Sequence, residues 1–128
     1  MSIRALHHVQ LAIPKGQEAT AIAFYQGLLG LAEVPKPPIL AARGGVWFER
    51  GQLQVHLGVE AQFRPAKKAH PAFEVCGVVA MLDRLEVAGV PVTRDPNLPG
   101  FTRGYIEDPF GNRIELLEPK ERGHSEES

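Results

Sequence analysis

Two stretches of the chain repeat one another in form, and this duplication restricts the fold more than any other feature. His8-Val9-Gln10-Leu11-Ala12-Ile13 returns as His70-Pro71-Ala72-Phe73-Glu74-Val75, each a histidine followed by apolar residues at every second position. Farther on, Val55-His56-Leu57 is echoed by Ile114-Glu115-Leu116, a polar residue between aliphatics. The polar pairs span similar lengths, 8 to 56 and 70 to 115. Apolar residues at a period of two mark half-buried strands. The chain therefore reads as two copies of one strand-containing unit, whose equivalent polar residues can converge on a single site.

Each copy carries the same order of signals. Residues 5 to 13 alternate as a strand ended by Pro14, and Ala21, Phe24, Tyr25, Leu28 and Leu29 follow helical spacing up to a C-terminal cap at Gly30. Pro35, Pro37 and Pro38 give a stiff stretch that is at best an edge strand. Strands are expected over 45–50 and 53–59, joined by a turn at Gly51-Gln52. Residues 60 to 69 form a polar linker. The second copy predicts a strand over 70–76, a helix over 78–88 with Val78, Met81, Leu82 and Leu85 buried, and strands over 90–94, 101–107 and 113–117. Asp108-Pro109-Phe110-Gly111-Asn112 supplies the hairpin turn.

The expected fold is thus α+β: two tandem βαβββ modules, about 5–59 and 70–119, forming a curved eight-stranded mixed sheet with the helices outside. One domain over 1–119 is expected, followed by a disordered tail over 120–128. Strand side chains alternate between faces. With Val9, Leu11, Ile13, Val55, Leu57, Phe73, Val75, Ile114 and Leu116 against the helices, His8, His56, His70 and Glu115 share the opposite face. Arg103 and Tyr105 join them, with Ile106 in the core.

A length of 128 residues, 44% of them hydrophobic and 23% charged, suits a single globular domain. A net charge of −1 provides no electrostatic reason to expect nucleic acid or an acidic membrane as partner. The single cysteine, Cys76, excludes an internal disulfide and is expected to be buried. No signal-peptide core or membrane-length apolar run is present, so a cytoplasmic location is expected.

The order of elements, with LHHVQLAI, AIAFYQGLLGL, LEVAGVPV and YIEDPFGNRIELLEP, resembles the vicinal oxygen chelate superfamily over roughly residues 5 to 119. That superfamily includes glyoxalase I, fosfomycin- and bleomycin-resistance proteins and extradiol dioxygenases. The resemblance implies one divalent transition metal (Zn, Ni, Co, Mn or Fe) held by His8, His70 and Glu115, with His56 where glyoxalase I places a fourth ligand. Tyr105 falls where fosfomycin-resistance enzymes have a substrate-contacting tyrosine. Two departures stand out: glyoxalase I commonly has glutamate at the His56 position, and the turn here is DPFGN rather than DPDGN.

Imidazoles with a carboxylate suit a borderline ion, whose open positions can chelate neighbouring oxygens of a small, anionic substrate. Glu115 is the expected proton carrier, and Tyr105 the hydrogen-bond donor or acid. Arg43, Arg64, Lys67 and Arg103 are the cations available to an anionic group, and Trp47 is a wall of the cup or of the core. The expectation is a metal-dependent, glyoxalase-like enzyme. Alternatives are a non-catalytic drug- or metabolite-binding protein and an extradiol-type dioxygenase. The exposed sheet edges of each half make a homodimer the expected assembly, built with or without exchange of halves.

Overall fold

A computed structural model describes residues 1–121. The expected disordered tail, from residue 122 on, lies outside the described residues. The first module runs β1 (Val9–Ile13), α1 (Glu18–Ile22) with a π-helical continuation over Ala23–Leu28, β2 (Ala32–Val34), α2 (Pro38–Ala41), β3 (Val46–Arg50) and β4 (Leu53–Val59). The second runs β5 (Ala72–Glu74), α3 (Val78–Val87), β6 (Val92–Arg94), β7 (Phe101–Glu107) and β8 (Arg113–Pro119). No helix among the described residues is long and apolar enough to cross a membrane.

Seven of the expected strands are present and β2 makes the eighth, hydrogen-bonded as two four-stranded mixed sheets of identical topology, β1-β4-β3-β2 and β5-β8-β7-β6. In each, the first strand pairs parallel to the last, and the remaining neighbours are antiparallel. The described chain divides into two compact units: residues 1–68 with Pro109–Asn112, and residues 69–108 with 113–121.

The expected faces hold. In the first unit Leu11, Ile13, Val55 and Leu57 are buried with Phe24, Tyr25 and Phe48. In the second, Phe73, Ile106, Ile114 and Leu116 are buried with Val78, Leu82 and Leu85 of α3. The first helix is not α throughout: Leu29 N–H bonds to Phe24 O, five residues back. The wider turn lets the adjacent rings of Phe24 and Tyr25 both enter the core, which α spacing would set about 100° apart. Gly30 ends it with φ 79°, as a C-terminal glycine does.

Several boundaries differ from expectation. β1 begins at Val9 and β5 at Ala72, so His8 and His70 precede their strands rather than open them. The proline stretch is no strand: β2 ends before it, and Pro38 starts the single turn of α2. Cys76, expected to be buried, is exposed, because β5 ends at Glu74 and the chain leaves the sheet before reaching it.

Helix α3 starts at Gly77 in a left-handed conformation, without a capping side chain of its own. Glu118 of β8 takes that role, accepting bonds from Gly77 N–H and Val78 N–H, both at 2.9 Å. These bonds hold the Glu118 carboxyl below its ordinary value near 4.5. A carboxyl with a lowered folded pKa contributes stability above the unfolded value, and that contribution is lost as pH falls through the folded value. Glu118→Gln should therefore lower Tm by a few degrees at neutral pH, and its deficit should shrink as pH is taken well below 4.5. A pH-independent deficit in thermal melts would refute the charged cap.

Candidate functional site

Each unit carries one pair of the expected site residues. In the first, Trp47 of β3 and His56 of β4 are direct cross-strand partners. Their rings stack almost parallel, with centroids 3.9 Å apart and planes 5° apart. His8 stacks on His56 at 4.1 Å and 22°, which leaves it the face opposite Trp47. His7 meets His8 edge-on, and their Nδ1 atoms are 3.0 Å apart. One of those nitrogens must carry the shared proton. Burial, followed by the neighbouring His8, His7 and Lys36, lowers the His56 pKa and keeps its imidazole neutral with a lone pair available.

In the second unit the equivalent cross-strand pair is Tyr105 of β7 and Glu115 of β8. Glu115 is 7% exposed, yet both its oxygens have partners. Oε1 lies 3.0 Å from His70 Nε2, and Oε2 accepts from Arg103 Nη1 at 3.1 Å. Burial alone would raise its pKa, but the bonds from His70 and Arg103 outweigh burial and hold the carboxyl below its ordinary value. Arg103 Nη1 also donates to Tyr105 Oη at 2.9 Å, and Nη2 to Asp95 at 3.2 Å. A guanidinium only donates, so Tyr105 Oη is the acceptor there and its own proton is free to point elsewhere. The Arg113 guanidinium lies 3.7 Å above the Tyr105 ring, a close cation–π contact. His70 meets the same ring edge-on at 5.5 Å.

The structure thus joins Trp47 to His56 and His8, and Arg103 and Tyr105 to His70 and Glu115. Arg43, Arg64 and Lys67 are exposed. Among the described residues no three His, Cys, Asp or Glu side chains are grouped to hold a metal. The donors of the second unit nevertheless suit one. Cis donors of an ion with bonds of about 2.1 Å lie about 3.0 Å apart, as His70 Nε2 and Glu115 Oε1 do. The carboxylate is held ionised, with Arg103 occupying only its other oxygen.

Reading the sequence missed His7, Asp95 and Arg113. Arg113 had a signal, since it shares the period of Glu115 two residues on. His7 reads from sequence only as a surface or hydrogen-bonded histidine, and it is exposed with its Nδ1 against His8.

The chain matches the model of the glyoxalase/bleomycin resistance protein/dioxygenase superfamily over residues 5–116, and it belongs to that superfamily. It is similar to a protein from Bacillus anthracis assigned to the glyoxalase family, with 46% identity and a TM-score of 0.90, covering 94% of this chain and 98% of that one. TnmS3, an antibiotic-binding protein from Streptomyces sp. CB03234, shares the fold at 22% identity and a TM-score of 0.73, covering 94% of this chain and 99% of that one. So does the fosfomycin resistance protein FosX of Listeria monocytogenes, in a mutant complexed with Mn(II) and dihydroxypropylphosphonic acid, at 18% identity and a TM-score of 0.76, covering 93% and 95%. Comparison with the curated proteins gave no match.

Proposed function

We propose that the protein is a metal-dependent, glyoxalase-like enzyme acting on a small anionic substrate that offers two neighbouring oxygens. One observation carries this reading: a buried, ionised Glu115 with one oxygen beside His70 Nε2 and the other fixed by Arg103, next to the Tyr105 hydroxyl. The donors proposed for the metal are His8, His56, His70 and Glu115. They fall two to a unit. The FosX complex with Mn(II) and a dihydroxyphosphonate supports both the metal and the substrate class.

Bound there, a divalent ion would act as a Lewis acid toward negative charge developing on the substrate oxygens. Tyr105 directs its proton to the substrate as a hydrogen-bond donor, held in place by Arg103. Glu115, held ionised, would accept a proton from one atom of the substrate and return it to the neighbouring atom to give the product. The Arg103 and Arg113 guanidiniums supply positive charge for the anionic group.

Metal analysis tests the reading: purified protein dialysed against Mn(II), Co(II) or Zn(II) should retain one ion per site. A protein that folds but retains none would instead be a binding protein for a drug or metabolite. That second reading is favoured by the likeness to TnmS3 and by a Glu115 already satisfied by His70 and Arg103. Subunit exchange is read separately. If the halves are exchanged between chains, mixing a His8 variant with a Glu115 variant should restore some intact sites. No recovery after verified exchange would mean that each site is built within one chain.

A further inference from the structure

We infer that Asp95 is a positioning residue that keeps Arg103 from closing a bidentate fork on Glu115, leaving one oxygen of that carboxylate to His70. All of these residues lie in the second compact unit. The consequence for turnover rests on the roles proposed above for Glu115 and Tyr105; the geometry does not. A guanidinium and a carboxylate commonly pair through two parallel N–H···O bonds. Arg103 and Glu115 do not. Nη1 alone reaches the carboxylate, at Oε2, and it also donates to Tyr105 Oη. Nη2, the other tine of the fork, donates to Asp95 Oδ2 at 3.2 Å, and Glu115 Oε1 meets His70 Nε2 instead. Arg103 Nε is buried and has no hydrogen-bond partner among the described residues. A buried donor without an acceptor costs free energy. The guanidinium is therefore held in this orientation by its other partners, not settled where every donor is met.

Asp95 is fitted to do the holding. It follows β6 directly, and its N–H donates to the Arg103 carbonyl at 3.2 Å, which ties its backbone to the residue its side chain reaches. Its Oδ1 accepts from Asn97 N–H at 2.9 Å, a turn in which the carboxylate braces its own backbone and presents Oδ2 to Nη2. Arg103 has a long side chain with many rotamers to lose, whereas the short Asp95 side chain is already fixed at both oxygens. The rigid partner thus sets the flexible one. Charge works the same way. With a carboxylate on either side the guanidinium is shared, and removing Asp95 hands it wholly to Glu115.

Crystallography of metal-free Asp95→Ser tests the geometry. A serine hydroxyl still accepts from Asn97 N–H but stops short of Arg103. Arg103 should then set Nη1 and Nη2 on the two Glu115 oxygens at about 2.8 Å, with His70 displaced from Oε1 and Tyr105 Oη released. Glu115 bonded as in the wild type overturns the inference. Should the serine variant fail to fold, Asp95→Asn decides by the same criterion, because a neutral amide cannot hold a guanidinium against a charged carboxylate. On any substrate the wild type converts, Asp95→Ser should lower kcat about a hundredfold with KM within about threefold, because reacting groups are misplaced and not removed. In an Arg103→Met background the same replacement should cost less than about twofold. A full additional loss there means that Asp95 does not act through Arg103, which also overturns the inference. Wild-type protein without metal or turnover would sink the proposed function instead, and the metal-free structures would still decide the role of Asp95.

Discussion

Glu115→Gln is expected to reduce turnover about a thousandfold on any substrate the wild type converts, the scale of losing a positioned proton-transfer group. The substitution is close to isosteric. Its amide oxygen can still accept from Arg103 and its amide nitrogen can meet His70, so the β7–β8 pair should survive with Tyr105 in place. The negative charge does not survive. Charge is what balances Arg103 at 3.1 Å and what would attract a divalent ion beside His70. Metal content and turnover should therefore fall together while the circular dichroism spectrum stays that of wild type. Activity unchanged in a well-folded Glu115→Gln protein would remove Glu115 from the mechanism. Loss of activity with metal fully retained would leave Glu115 as the proton carrier and remove it from the ligand set.

The largest stability loss is expected from Gly45→Ala. Gly45 has φ 88°, and a Cβ built there would lie 2.1 Å from the Leu57 carbonyl oxygen and 3.2 Å from its carbon. Backbone on β4 cannot swing aside as a side-chain tip can, so β3 and β4 must part at the Val46–Leu57 pair, or Gly45 must give up its bond to Glu18. Left-handed strain and the broken contact together should cost about 4 kcal/mol, a large share of a typical domain's stability. A drop in Tm of roughly 10–20 °C follows for a chain of this size. Gly51→Ala is the control. It too has positive φ, 59°, but nothing lies within 4 Å of its would-be Cβ, so it should cost only about 1–2 kcal/mol. Equal losses at the two positions in denaturant titrations would show that backbone conformation alone, not the approach to Leu57, sets the cost.

The fold was legible because strand burial obeys a short rule. Val55, Leu57, Ile114 and Leu116 alternate strictly, so a period of two placed them in the core and put His56 and Glu115 on the other face. Tyr105 and Arg103 followed from the same rule, and Arg103 does meet Glu115. Alternation stops where a strand stops, and there the reading failed. His8 and His70 lie outside their strands, and Cys76 is exposed rather than buried for the same reason. Ring orientation was equally out of reach. Register brings Trp47 opposite His56, but whether two rings lie flat or edge-on depends on side-chain torsions that no spacing encodes. The π-helical turn under Phe24 and Tyr25 belongs with these, since it answers to packing rather than to helical spacing.

The hairpin turn of the second module bears on where this chain can be cut. Asn112, 1% exposed, donates through Nδ2 to the Ala12 carbonyl and accepts through Oδ1 from Ala66 N–H, and its turn belongs to the first compact unit. Residues 1–68 expressed alone would leave both of those backbone groups without this partner. The linker that the sequence marks as a boundary between modules is therefore not a boundary between independent folding units, because one buried side chain from beyond it completes the hydrogen bonding of the first.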